Sequence, residues 1–246
     1  MTAFPYTLQE DDLPRLGLIV LQVDETIEQD FRRLFPPDIA RLYITRVPSG
    51  AELTPDSIAE MERMLPAAAR LLPSAQPLDV VGYACTSGTT LIGAGKVRDL
   101  VTGAAQTKVV TDPLTAALAQ CSSLGLGRVG IVSPYIPSVA DPIRAAFEAA
   151  GILVPDMLSF GEEVEAKVAR IAPASIAEAA RALVRRSKLD AVFLSCTNLR
   201  TLDILAPLTQ ELGLPVLSSN QCLAMHMGSL AKLTLFTNAS PPWTRG

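Results

Sequence analysis

The chain has 246 residues, a net charge of −4 and 49% hydrophobic residues, enough for one large domain or two smaller lobes with a sizeable core. Its acidic and basic residues are interspersed, which argues against a nucleic-acid-binding protein. No run reaches the ~18–20 apolar residues of a membrane helix. Glu10, Asp11 and Asp12 argue against a signal peptide. We therefore predict a cytoplasmic protein with no nucleic-acid or membrane partner.

Strand and helix patterns alternate along the chain, which is typical of parallel βαβ units. The first half contains a strand at 16–20, a helix at 67–72, a strand ending at Cys85, a strand at 108–111 and a helix at 113–120. The segment 36–55 is rich in turn formers, and we predict a flexible flap near the cleft there.

The second half repeats this order. It contains a strand at 129–133, a helix at 179–184, a strand ending at Cys196, a strand at 214–218 and a helix at 221–235. We therefore predict an α/β fold of two similar Rossmann-like lobes with parallel sheets, related by a pseudo-twofold axis, with the active site between the lobes. The predicted lobes are 1–115 and 116–220, with part of 221–246 packing on the first lobe and a disordered end at 241–246. Chance similarity of two α/β halves is the alternative.

Two cysteines at the ends of equivalent strands are the main functional signal. Residues 79–86 and 190–197 both contain an aspartate, an apolar run and then Cys-Thr. In parallel α/β folds, chemistry lies just past the carboxyl ends of the strands. Facing thiols of Cys85 and Cys196 suit an acid–base pair that removes a proton next to a carboxyl group and returns one to the opposite face. The alternative is a buried small apolar residue, which we predict for Cys121 and Cys222.

Small polar residues follow both cysteines, and they are Thr86, Ser87, Thr197 and Asn198. Backbone N–H groups at a helix start favour negative charge. We expect these residues to anchor a substrate carboxylate and to favour a thiolate.

The sequence predicts no metal site and no cofactor. It contains no Cys-x-x-Cys pair, and its one histidine is His226. It contains no phosphate-binding loop, and the glycines at 93–95 lack the dinucleotide-binding spacing. We predict free thiols rather than disulfides. A Cys–His nucleophile pair with His226 and a structural histidine both remain open.

At residues 84–89, 195–201 and 132–135 the chain resembles the aspartate/glutamate racemase superfamily, in particular its maleate cis–trans isomerase and arylmalonate decarboxylase branch. The resemblance implies that Cys85 is a base or nucleophile, that Cys196 is a proton donor and that Tyr135 binds a substrate carboxylate. It also implies a homodimer. Arylmalonate decarboxylases keep only the second cysteine, so the two cysteines of this chain favour an isomerase or racemase.

Three positions depart from that pattern. Asp24 stands where maleate isomerases carry an asparagine that contacts a carboxylate, and an aspartate suits an ammonium or amide group better unless it is protonated. A helix N-cap is the structural alternative for Asp24. A second family asparagine falls near Glu162 and Glu163, so a glutamate is expected to replace it. Asn198 stands in place of the histidine of glutamate racemases, which argues against that enzyme.

Residues 21–28 resemble the branch encoded with ectoine-utilisation enzymes, which implies a diamino-acid or N-acylated amino-acid substrate. We therefore predict a cofactor-independent isomerase or racemase that acts on a small carboxylate, with Asp24 and Tyr135 selecting the rest of the substrate. Three alternatives stay open: maleate cis–trans isomerisation proper, decarboxylation of a disubstituted malonate by Cys196 alone, and a non-catalytic two-lobed amino-acid-binding protein.

Overall fold

The computed structural model describes residues 3–9, 12–52 and 54–233. Its strands are β1 (Arg15–Leu21), β2 (Arg41–Val47), β3 (Val80–Ala84), β4 (Val110–Thr111), β5 (Val129–Tyr135), β6 (Met157–Glu162), β7 (Ala191–Leu194) and β8 (Val216–Ser218). Its helices are α1 (Ile27–Leu34), α2 (Pro55–Ala69), α3 (Thr86–Ile92), α4 (Ala94–Thr102), α5 (Pro113–Leu124), α6 (Pro137–Ala149), α7 (Glu165–Val168), α8 (Pro173–Arg186), α9 (Leu202–Leu212) and α10 (Ser219–Leu230).

The strands form two four-stranded sheets with the same connectivity. The first has the order β2-β1-β3-β4 and the second has the order β6-β5-β7-β8, and all neighbouring strands are parallel. This repeat confirms the predicted α/β fold with two similar parallel sheets. In each sheet the strand that precedes a cysteine, β3 or β7, lies beside the first strand of its own half.

The aspartates that directly precede the two cysteine strands have equivalent structural roles. Asp79 accepts a hydrogen bond from the Arg15 backbone N–H at 2.8 Å, and Asp190 accepts one from the Gly127 backbone N–H at 3.0 Å. Each carboxyl group therefore satisfies a backbone donor at or just before the start of the neighbouring central strand. The repeated aspartate sets where paired strands begin, while the repeated cysteine marks where they end.

Several helices begin at residues that suit a helix start. Pro55, Pro113, Pro137 and Pro173 occupy the first positions of α2, α5, α6 and α8, where a missing N–H costs nothing. The Ser218 side chain accepts a hydrogen bond from the Gln221 N–H and so caps α10. These local signals explain where the five helices begin.

The predicted flap is wrong at its centre, because Arg41–Val47 forms β2 and pairs residue by residue with β1. The strand β6 (Met157–Glu162) was also not predicted. Both are edge strands with mostly half-buried or exposed residues, so neither contains the continuous apolar run of a central parallel strand. Turn formers on either side of β2 masked the strand between them.

Two helices cross between the halves. Leu114 and Cys121 of α5 pack with Val129 and Phe193 of the second sheet. Leu223, Ala224 and Met227 of α10 pack in one cluster with the first sheet. Residues of α10 thus share a core cluster with the first sheet, while the lobe limits 1–115 and 116–220 and the packing of 221–246 on the first lobe stay predictions.

Some predictions fall outside the described residues, namely Glu10, Asp11, the last part of the predicted helix 221–235 and the end at 241–246. In the part of the chain that the structure describes, no helix is both long enough and apolar enough to cross a bilayer.

Candidate active site

The two predicted cysteines lie at the carboxyl ends of β3 and β7. Cys85 is the N-cap of α3, and its Sγ accepts a hydrogen bond from the Gly88 N–H at 3.1 Å. Cys196 Sγ accepts one from the Asn198 N–H at 3.3 Å. The side chains are almost fully enclosed, with 3% of Cys85 and 4% of Cys196 exposed. Cys196 also has a φ of 136°, a strained value for a residue with a side chain and one that is concentrated at functional sites.

Contacts between the segments around the cysteines join the two halves. The Thr197 hydroxyl donates to the Ala84 carbonyl at 3.4 Å. The Ser219 hydroxyl lies 2.8 Å from the Thr86 hydroxyl and accepts a hydrogen bond from the Cys196 N–H at 3.0 Å. The buried Ser219 thus holds both strand ends in register. The signal in the sequence was its position directly after the predicted strand at 214–218, which forms β8 beside the cysteine strand β7.

Tyr135 connects Cys196 to a buried acid. Its hydroxyl donates to Glu165 Oε1 at 2.6 Å and lies 3.1 Å from Cys196 Sγ. A phenol carries a single proton, so the thiol of Cys196 must be the donor in the second contact. The side chain of Asn198 donates to the other oxygen, Glu165 Oε2, at 2.9 Å. The result is a chain of hydrogen bonds from the thiol through the phenol to a carboxylate.

The glutamate at the end of this series of hydrogen bonds is neither of the two predicted candidates, Glu162 and Glu163. Glu162 accepts hydrogen bonds from the backbone N–H groups of Glu163 and Val164 and lies 3.5 Å from Lys167, and Glu163 is exposed. Glu165, only 2% exposed, is the acid that enters the site. The sequence offers three glutamates within four positions, and the backbone path from β6 into α7 selects the last of them.

Asp24 is buried just before α1. Its two carboxyl oxygens have different surroundings, which bear on the two interpretations, a helix cap and a substrate-binding residue. Its Oδ1 accepts hydrogen bonds from the backbone N–H groups of Thr26 and Ile27, at 2.8 and 2.9 Å, which is a capping role. Its Oδ2 is buried without a hydrogen bond among the described residues. The Thr197 hydroxyl, close enough to favour the charged form of Asp24, is directed at the Ala84 carbonyl instead. One carboxyl oxygen therefore stabilises the helix start and the other remains open.

Burial governs the electrostatics of the thiols. It raises the pKa of Cys85 to about 12 and raises the pKa of Cys196 well above its ordinary value. The negative charges of Glu165 and Asp24 raise both thiol pKa values further, so both thiols lie within reach of the same two carboxyl groups. The Gly88 N–H opposes the shift at Cys85 but does not outweigh burial. The helix start therefore favours the thiolate, as expected, but burial outweighs this effect and keeps Cys85 protonated.

The remaining predicted residues belong to the same cluster. Ser87 is buried, with its hydroxyl 4.0 Å from Cys85 Sγ. The Asn198 side-chain carbonyl accepts a hydrogen bond from the Glu25 N–H at 2.9 Å, which ties the loop after β7 to the segment of Asp24. These contacts bring together all eight predicted site residues, which are Asp24, Cys85, Thr86, Ser87, Tyr135, Cys196, Thr197 and Asn198. Their roles in binding and catalysis stay predictions.

Other titratable residues have local partners. His226 Nδ1 lies 2.7 Å from the Thr111 hydroxyl, and burial lowers the pKa of this histidine. Cys121 and Cys222 are free and buried in one apolar cluster between α5 and α10. Across residues 3–9, 12–52 and 54–233, no three His, Cys, Asp or Glu side chains form a group that could hold a metal ion.

Comparison with known proteins matches nearly the whole chain. The family model described as arylmalonate decarboxylase matches residues 16–240. Arylmalonate decarboxylase from Bordetella bronchiseptica is 30% identical over 87% of this chain and 88% of that protein. Maleate isomerase from Nocardia farcinica is 26% identical over 83% and 85%. The structure of the Nocardia farcinica maleate cis–trans isomerase bound to TRIS superposes with a TM-score of 0.78, at 25% identity over 90% of this chain and 93% of that chain. The matched region includes every residue of the cluster.

Proposed function

This chain belongs to the arylmalonate decarboxylase family, and on that premise we propose that it is a cofactor-independent isomerase or racemase acting next to a substrate carboxylate. The observation that carries the proposal is the placement of Cys85 and Cys196 at equivalent strand ends of two similar sheets, facing the same buried carboxyl groups. The matched relatives are enzymes, and their names include both a decarboxylase and isomerases.

The two thiols have different surroundings, which supports different roles. Cys85 Sγ accepts a hydrogen bond from the Gly88 N–H, an arrangement that stabilises negative sulfur. Cys196 Sγ also accepts a backbone hydrogen bond, from Asn198, but it lies 3.1 Å from a phenol oxygen that can accept its S–H proton, because the Tyr135 proton is directed at Glu165. We assign Cys85 as the base that removes the substrate proton and Cys196 as the acid that returns a proton to the opposite face. Proton exchange with solvent then returns Cys85 to the thiolate and Cys196 to the thiol.

Proton transfer by placed groups accounts for roughly 10²–10⁴-fold each, so the developing enolate also needs stabilisation. We assign this to Thr86, Ser87, Thr197 and Asn198, which are buried beside the sulfur atoms and carry hydroxyl, amide and backbone donors. We assign to Asp24 and Tyr135 the selection of the remainder of the substrate.

Cis–trans isomerisation of an unsaturated diacid is the second candidate, and the similarity to maleate isomerases favours it. The Cys85 thiolate would add to one alkene carbon while Cys196 protonates the other. Rotation about the resulting single bond, loss of that proton and expulsion of the thiolate would give the other isomer. The same two sulfur atoms serve both reactions.

The test is deuterium uptake from heavy water by a panel of amino acids, N-acyl diamino acids and maleate. We expect Cys85→Ala and Cys196→Ala each to lose at least about 10²-fold in rate, while Cys121→Ala, a change at a buried cysteine outside the site, keeps the activity. Wild-type rates in both site variants would refute the two-thiol scheme. Carbon dioxide release that survives Cys85→Ala but not Cys196→Ala would identify a malonate decarboxylase instead.

The homodimer, the ectoine-type substrate and the cytoplasmic location stay predictions. Sedimentation of the purified protein measures the first directly. The same panel of substrates addresses the second.

A further inference from the structure

Two buried carboxyl groups, Asp24 and Glu165, flank both thiols without a cationic partner. Neither forms an ion pair in the described part of the chain. The nearby Arg46 directs its guanidinium to the backbone carbonyl of Asp24, at 3.1 Å, and to the carboxylate of Glu28. We call Asp24 and Glu165 the acid pair. Isolated buried charges are costly, so a paired site normally supplies a countercharge.

Burial raises the pKa of both carboxyl groups of the acid pair, while their hydrogen bonds favour the ionised forms. Both oxygens of Glu165 accept, one from the Tyr135 hydroxyl and one from the Asn198 amide. Asp24 Oδ1 accepts from two backbone N–H groups, and its Oδ2 is buried with no donor bonded to it. A protonated Glu165 would have to donate to the Tyr135 oxygen, which would reverse the hydrogen bond between them. The hydrogen bonds therefore suit negative charge that burial opposes, and Asp24 Oδ2 remains an open acceptor.

The charges of the acid pair act on each other and on the chemistry. Burial is the largest cause of the raised pKa values of Glu165, Cys85 and Cys196; the charge of Asp24 raises the pKa of Glu165 further, and the acid pair raises those of both thiols further. A positive group between these carboxylates would offset both effects at once, whereas a second substrate carboxylate would add to them.

We propose that the acid pair binds an ammonium group of the substrate, so that the substrate is a carboxylic acid that also carries a protonated amine. This inference rests on the proposed function, because it places the substrate between Cys85 and Cys196. The buried hydroxyl and amide groups after the cysteines receive the carboxylate, and Asp24 Oδ2 receives an N–H of the ammonium. Glu165, which the sequence did not single out, is a specificity-determining residue on this assignment.

Substrate binding then also prepares the thiol. The groups that face Cys85 are the acid pair, Tyr83 and the Gly88 N–H. Neutralising the acid pair removes the part of the Cys85 pKa elevation that the two carboxylates add to the larger effect of burial. More of the thiol then loses its proton to solvent, so a cationic ligand increases the thiolate fraction.

The test compares simple probes that differ at one end. The compounds 4-aminobutyrate and glutarate share the same carbon spacer and exchange an ammonium for a carboxylate, and 3-aminopropanoate and succinate form a shorter pair. Calorimetry measures binding, and protection of Cys85 from iodoacetamide, followed by mass spectrometry, reports the location. We expect the amine of at least one pair to bind roughly thirtyfold more tightly than its diacid.

Variants separate charge from shape. The double variant Asp24→Asn, Glu165→Gln keeps acceptors for the local hydrogen bonds but carries no charge, and we expect it to lose the amine preference. Glu163→Gln, an exposed change on the same segment, should retain that preference. Equal or tighter binding of the diacids, an unchanged preference in the double variant, or no Cys85 protection by any probe would overturn the proposal.

A second readout is the ultraviolet absorbance of the thiolate, which should rise when the amine binds and not when the diacid binds. This experiment fails independently of the proposed function. If amines are preferred but both cysteine variants still exchange deuterium, the two-thiol mechanism is wrong. If the cysteines are essential but diacids are preferred, only the ammonium site is wrong.

Discussion

At the residue scale, the hydroxyl of Tyr135 controls the state of the group that returns the proton. It gives its only proton to Glu165, so it can only accept from Cys196. The sequence does not show which cysteine is the acid and which is the base. The contact between Tyr135 and Cys196 distinguishes the two thiols. The assignment of base and acid thus depends on one phenol that neither cysteine motif contains.

Tyr135→Phe tests this role. The change removes the acceptor of the Cys196 S–H proton and the donor to Glu165 Oε1. We therefore expect kcat for deuterium exchange to fall by roughly 10²-fold, with a smaller change in KM. The free energy of unfolding should fall by about 1–2 kcal/mol, as measured in urea. Tyr43→Phe, at a tyrosine of β2 whose ring lies under Arg15, is the control. Equal kcat values for the Tyr135 variant and wild type would show that the phenol is only structural.

At the element scale, the first turn of α3 is shaped around Cys85. Gly88 brings its N–H to the thiol, and a β-carbon at this position would lie 2.8 Å from both Cys85 Sγ and the Tyr83 hydroxyl. A β-carbon essentially never lies this close to a non-bonded heavy atom. Glycine at position 88 therefore allows the strand end and the helix start to approach each other.

Gly88→Ala therefore should displace the thiol. We expect at least about 10²-fold loss of deuterium exchange and slower or altered alkylation of Cys85, because placement errors near 1 Å cost this much. Gly95→Ala in α4 is the matched control, since its β-carbon would meet only Arg98 at 3.7 Å; it should keep activity and gain up to about 1 kcal/mol of stability. Normal activity in the Gly88 variant would mean that the thiol tolerates displacement.

Elements with a strong local pattern were predictable, whereas the two partly exposed edge strands, β2 and β6, were not. The central strands β1, β3, β5 and β7 are buried along most or all of their length, which leaves a continuous apolar signature. The edge strands β2 and β6 expose many residues, so polar positions interrupt their pattern and hide them. The duplication helped because a weak element in one half was supported by its counterpart in the other.

At the scale of the whole molecule, a buried acid joins the two halves. The side chain of Asn220, on α10, donates to Asp30 on α1 at 2.8 Å and to the Thr197 carbonyl after β7 at 2.9 Å. Apolar residues of both sheets share one core cluster that includes Cys85 and Cys196. The two cysteines are therefore part of the core that the two sheets share.

Burial raises the pKa of Asp30 from 3.8 to about 6. This group stabilises the fold fully below its unfolded pKa and loses that contribution as pH rises through its folded pKa. We therefore expect Asp30→Asn to gain stability relative to wild type between about pH 4 and 6, by about 1–3 kcal/mol, and to keep that gain at higher pH. Urea unfolding across this pH range measures the difference. The exposed Asp38→Asn is the control, and a pH-independent difference for Asp30→Asn would contradict the prediction.

The sequence by itself determined the repeated α/β halves, the two cysteine strand ends and the small polar residues after them, because continuous apolar runs and local motifs carry that information. Only the tertiary structure decided which glutamate enters the site, that Ser219 bridges the strand ends and that burial keeps both thiols protonated. Those properties depend on burial and on distances between residues far apart in the chain. A one-dimensional pattern can indicate that a side chain is polar, but the surrounding fold sets its charge state and its partners.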